Sequence, residues 1–153
     1  MTLEITLAYL HFLALIGTAS LLVTEMALCR PGITGDALQR LKKVDGAYGA
    51  FAGLTLATGA LRLFFGAKGS HYYLTNPIFH TKFGLFVLVG LLSILPTVRI
   101  LGWSKSAAQQ PGFAPSGEAV AGVRRWVHIE LLLLAFIPLF ATLMAHGVSR
   151  FGG

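Results

Sequence analysis

The chain has 153 residues, of which 55% are hydrophobic and only 12% charged, about half the charged share of an average soluble domain. Its net charge is +6, but the basic residues sit between long apolar stretches, which excludes a nucleic-acid-binding surface as their main purpose. A single cysteine, Cys29, excludes an internal disulfide or a thiolate cluster.

Four apolar stretches, at about 5–24, 47–66, 79–98 and 126–145, have the length a helix needs to cross a hydrocarbon core. They leave too little chain for a separate soluble domain. The expected fold is therefore all-α, a single integral membrane four-helix bundle over residues 1–153.

No Lys or Arg precedes the first stretch, and its apolar run is longer than that of a secretory signal, so it is expected to be retained as a span. In Met26-Ala27-Leu28-Cys29, Leu28 stands where a lipoprotein cleavage site needs a small residue. Cys29 is expected to be a buried or interfacial thiol. Thr34-Gly35-Asp36 then forms a helix-start signal ahead of Ala37 to Lys43, so the second helix should begin outside the lipid and run into it. That span carries Gly46, Gly49, Gly53, Ala57 and Ala60 at three- and four-residue steps, a small-residue stripe suited to close approach of a neighbouring helix.

The segment from Ala67 to Pro77 holds turn glycines and the pair Tyr72-Tyr73, and reads as a short ordered cap at the interface. Pro96 and Pro138 should kink or locally open the third and fourth spans. Between those spans, Ser104 to Glu118 is rich in Ala, Gln, Gly, Pro and Ser, and reads as the most flexible connection.

Charge sets the orientation. Arg30, Arg40, Lys42 and Lys43 follow span one, and Arg99, Lys105, Arg124 and Arg125 flank the connection between spans three and four, while the other side holds only Lys68 and Arg150. The positive-inside bias places the basic connections in the cytoplasm and both termini outside, as expected of a bacterial inner-membrane protein. The partner this implies is the lipid bilayer; the remaining apolar surface can be covered by lipid or by a second copy of the chain in a homodimer.

Within the spans the polar residues are periodic. His11, Thr18 and Glu25 recur at steps of seven, as do Tyr48, Thr55 and Arg62, with Asp45 one turn before Tyr48; Lys82 and Ser93 share a face of span three. At about 100° per residue, positions seven apart lie on nearly one face. Because lipid penalises such groups, the seams should face one another inside the bundle. Sorted by depth, they give an outer cluster of His11, Arg62 and Lys82, flanked by His80 and His146. An inner cluster holds Glu25, Asp45 and Glu130 beside Arg124 and Arg125, where interfacial ion pairs are the expected structural role.

The outer cluster is rich in bases and has no acidic partner in the membrane, which suits an anionic or metal-bearing ligand. His11 lies too deep to snorkel, and histidines facing into small helical bundles serve as axial haem ligands. The sequence holds no dinucleotide motif, phosphate loop, Ser-His-Asp order or zinc-spaced histidine pair.

The pattern Tyr9-Leu10-His11, Asp45, Gly59-Ala60-Leu61-Arg62, Tyr72-Tyr73, Asn76-Pro77, Lys82, Gly90-Leu91-Leu92-Ser93 and Pro96-Thr97 resembles a bacterial family of four-span proteins described only as predicted membrane proteins of unknown function. More distantly, the layout resembles the HemJ-type protoporphyrinogen oxidases, in which a first-span histidine and a third-span lysine within Trp-Leu-His-x-Lys are associated with b-type haem. The matching residues here are His11 and Lys82, the latter within Phe79-His80-Thr81-Lys82, which lacks the tryptophan. This second resemblance implies haem b with His11 and Lys82 as candidate iron ligands. Arg62 would compensate a haem propionate, and a porphyrin or quinone would be the reaction partner in an oxidoreductase. A small anion or metal transport module, and a structural subunit without cofactor, are the competing expectations.

Overall fold

The structure, a computed structural model, describes residues 2–66 and 69–146. Among them all regular structure is helical: α1 (Thr2–Leu28), α2 (Gly35–Phe65), α3 (Gly69–Thr75), α4 (Pro77–Gln109) and α5 (Gly117–Ala145). Helices α1, α2, α4 and α5 are long and apolar enough to cross a membrane. The expected all-α membrane bundle is the fold found.

The long helices run from 27 to 33 residues, or about 40 to 50 Å at 1.5 Å per residue, well beyond a hydrocarbon core of about 30 Å. The apolar stretches mark only their middles. As its start signal predicts, α2 begins at Gly35. Helix α4 likewise continues through Ser104 to Gln109, which corrects the expectation of a loose connection from Ser104 to Glu118; only 110–116 lie between α4 and α5. Ala107, Ala108 and Gln109 favour helix. Ser104 is buried and donates its hydroxyl to Gln39 Oε1 (2.9 Å), while Gln39 Nε2 donates to the Ser104 carbonyl (3.2 Å), fastening α4 to α2.

Each of the connections 29–34 and 110–116 contains a Pro-Gly pair. Gly32 and Gly112 both sit at φ 81°, a conformation that favours a residue without Cβ at the third position of a type II turn. The segment after α2 is an ordered cap in the form of α3, tied to α5 by the Tyr72 hydroxyl donating to the Met144 carbonyl at 3.4 Å. Asn76 then caps α4 by accepting from the Ile78 amide (2.9 Å), with Pro77 opening the helix. Helices α4 and α5 remain helical on both sides of Pro96 and Pro138. Lys68 and Arg150, the basic residues expected on the far side, lie outside the described residues.

Helix α1 packs beside α2 and α5, and α4 beside the same two, so the four close into a ring; α3 rests on α2 and α4. The Pro-Gly connections lie at the basic end of the bundle, opposite the α3 end. Packed side chains concentrate toward the basic end, where Leu22, Leu38, Leu41, Ile100, Val120 and Val127 are fully buried. Outward faces bear large apolar side chains such as Ile5, Phe12, Phe64, Leu91 and Phe136, as lipid contact requires.

The small-residue stripe of α2 does not pack against another helix of the chain. Gly46, Gly49, Gly53, Ala57 and Ala60 are all exposed, and a Cβ on any of the three glycines would meet nothing. The close approach between α1 and α2 is made instead at Gly17, against the Phe51 ring, and at Gly59, against His11. Spacing determines which residues share a face but not where that face points.

Cys29, just past α1, is fully buried. Burial, reinforced by the Glu25 carboxyl nearby, raises its thiol to about 11. Since the thiolate is the nucleophile, alkylation of the folded protein should be negligible at neutral pH and should accelerate as pH climbs toward 11. Rapid labelling at pH 7 would contradict this burial.

Candidate functional site

At the α3 end, α1, α2 and α4 bring His11, Arg62 and Lys82 into one electrostatic neighbourhood: both cations act on the imidazole, and they act on each other. The three residues are half-buried. The sequence seams had gathered these residues, and the folded chain keeps them together.

Thr58 and Gly59, which the seams missed, set the position of His11. Thr58 lies one helical turn beyond the recognised Thr55. Its hydroxyl donates back to the Leu54 carbonyl (2.8 Å) and lies 3.1 Å from that of Thr55. With its one hydrogen so used, the hydroxyl can only accept from His11 Nδ1, 3.0 Å away. The hydrogen-bond pattern therefore assigns the imidazole proton to Nδ1 and leaves Nε2 with a lone pair. Gly59 provides the space, since a Cβ there would stand 3.3 Å from His11 Cε1. Gly59→Val should accordingly displace the His11 ring, whereas Gly53→Val, facing open space, should leave it in place. Comparison of the His11 imidazole NMR signals in the two variants checks this, and equal shifts would contradict it.

Lys82 Nζ lies 5.3 Å from the centroid of the Phe79 ring, a cation–π arrangement. His80 and His146 are not part of this group. The exposed His80 donates from Nε2 to the Leu74 carbonyl (2.8 Å), bridging α3 and α4, and His146 Nδ1 donates to the Thr142 carbonyl (2.9 Å) at the end of α5. Below His11, the hydroxyls of Thr18 and Thr55 meet at 3.1 Å between α1 and α2, so the predicted seams do face each other.

The imidazole at the α3 end is prepared as a ligand. An imidazole whose Nδ1–H is fixed by a neighbour and whose Nε2 carries a lone pair is the state in which histidine ligates a metal. The Arg62 guanidinium beside it matches the charge of a propionate. No group of three or more His, Cys, Asp and Glu suited to a metal ion occurs among the described residues. Two surface grooves, of about 400 Å³ between α4 and α5 near Arg99 and Trp126 and about 220 Å³ between α1 and α5 near Leu15 and Pro138, lie away from His11.

The inner cluster departs from the expected ion pairing. Arg124 Nη1 donates to the carbonyls of Met26 (2.9 Å) and Cys29 (2.7 Å) at the end of α1, where unsatisfied carbonyls and the helix dipole attract a cation. Two of the three acids instead take hydroxyl partners: Thr97 donates to Asp45 Oδ1 (2.7 Å), and Tyr48 to Glu130 Oε2 (3.1 Å). Since α2 and α5 are not neighbours in the ring, the Tyr48–Glu130 bond crosses the middle of the bundle.

Residues 3–149 match the family described as "Predicted membrane protein (DUF2214)", and the chain belongs to that family. No curated protein and no solved structure matches it.

Proposed function

We propose that this membrane protein is a redox protein holding b-type haem between α1, α2 and α4 at the α3 end. The observation that carries this reading is the His11 imidazole, with Nδ1–H anchored on Thr58 and Nε2 carrying a free lone pair beside Arg62 and Lys82. When bound, haem supplies one-electron redox chemistry. Thr58 holds the imidazole tautomer and ring plane, Gly59 leaves room for it, and Arg62 offers a guanidinium to a carboxylate. Lys82 would be the second residue to hold the iron, through its neutral amine. The electron partner is a quinone or a porphyrin. The bundle sits in a bacterial inner membrane with its basic end in the cytoplasm, which the crowding of Arg and Lys at that end supports.

Protein purified in mild detergent from haem-replete cells, assayed by the pyridine haemochrome method, should contain b-type haem in near-stoichiometric amount. Lys82→Arg, whose guanidinium stays protonated and cannot ligate, should retain haem through His11 and shift the Soret band. Haem-free protein would overturn the proposal, and an unshifted band would remove Lys82 from the ligand set while leaving His11.

A second reading is favoured by the same three bases, which together suit a small anion without any iron. Chloride or phosphate flux through liposomes by a haem-free protein, lost in Arg62→Gln, would select it.

A further inference from the structure

Three carboxyls lie inside the basic half of the bundle, on three different helices. Glu25 of α1 is 1% exposed, Asp45 of α2 is 4% and Glu130 of α5 is 0%. Glu25 lies within electrostatic range of both others, and Asp45 within range of Glu130. Their hydrogen bonding is incomplete. Glu25 Oε2 and Glu130 Oε1 are buried and have no partner.

An unpartnered, fully buried carboxylate oxygen costs more than most folds tolerate, and two such oxygens on facing acids call for a bound positive charge. The charges that face the group from the surrounding elements do not supply it. From α5, Arg124 is engaged with the Met26 and Cys29 carbonyls. From α2, Tyr48 already donates its hydrogen to Glu130 Oε2. From α4 come the Thr97 hydroxyl, bonded to Asp45, and Ser93, which faces Tyr48. Cys29, beyond the end of α1, faces Glu25 as a protonated thiol. A multivalent metal does not fit, because the three acids do not converge as a metal-holding group among the described residues.

We propose that Glu25, Asp45 and Glu130, with Tyr48 as hydrogen-bond donor, form a proton-binding site in the basic half of the bundle. The proton resides on the Glu25–Glu130 side, where the two oxygens lack partners; Asp45 and Tyr48 hold the surrounding lone pairs and hydroxyl in place. A bound proton leaves as it came, with no bond to carbon made or broken. The site stands independently of the haem reading, being on other residues and at the other end of the bundle.

Infrared spectroscopy of the protein reconstituted in liposomes, titrated in pH and exchanged into D2O, tests this. The wild type should show a protonated-carboxyl stretch at neutral pH that declines on alkaline titration. Glu25→Gln and Glu130→Gln should each remove intensity from it, and Tyr48→Phe, which leaves every carboxyl in place, should shift its frequency. If a glutamine variant fails to fold, the Tyr48→Phe shift alone decides. Absence of the band at neutral pH, or a band indifferent to all three substitutions, overturns the proposal. Sodium-dependent thermal stabilisation in place of the band would assign the site to a cation and equally overturn it.

Discussion

Replacing His11 with alanine should abolish haem binding while the bundle remains folded. The side chain is half-buried and its loss removes one hydrogen bond, to Thr58, so the structural cost is about 1 kcal/mol. The effect on the cofactor should be near-total, because Thr58 and Gly59 are arranged around this imidazole and no other histidine of the described residues points into the cluster. The check is haem content measured alongside the helical circular dichroism of the same sample. Unchanged haem content would move the iron ligand elsewhere. Thr58→Ala offers a graded companion: it frees the ring without removing Nε2, so haem should be retained with weakened affinity, about 10-fold or more by the usual weight of such supporting partners.

The second large effect is on stability. Arg124 closes the end of α1 onto α5 through two charge-assisted bonds to main-chain carbonyls. Its replacement by alanine leaves the Met26 and Cys29 carbonyls without that donor and should cost about 3 kcal/mol. Arg124→Lys, which keeps a charged donor on a shorter, differently shaped side chain, should recover part of the loss. Unfolding titrations in mixed micelles give the comparison; an Arg124→Ala protein within about 0.5 kcal/mol of wild type, the range of an ordinary surface change, would show that the clasp contributes nothing. Arg125, exposed on the same helix, is the natural control.

The residues that could be read from sequence were those whose periodicity has only one structural meaning in lipid. Steps of seven put His11, Thr18 and Glu25 on one face and Tyr48, Thr55 and Arg62 on another, and the cost of polar groups in lipid left the bundle interior as their place. The Thr18–Thr55 contact is the direct expression of that argument. The partner of His11 escaped it because Thr58 is three residues from Thr55 rather than seven, and a helical face is wide enough to include both. The α2 glycine stripe misled for the opposite reason: its spacing is equally good for a helix neighbour and for lipid, and the chain chose Gly17 and Gly59 for close approach. Composition also misjudged Ser104 to Gln109, where the buried Ser104–Gln39 pair holds a polar segment in helix. The basic-end acids could be placed but not paired, since nothing in the order of residues says that Arg124 prefers the carbonyls of a helix end to a carboxylate.

The dithionite-reduced minus oxidised absorption spectrum of the purified wild-type protein decides whether His11 holds a haem. A Soret band with reducible α and β bands is expected in wild type and should be absent in His11→Ala. A well-folded protein without these bands, prepared from haem-replete cells, would contradict it and leave His11, Arg62 and Lys82 as a basic site for an anion.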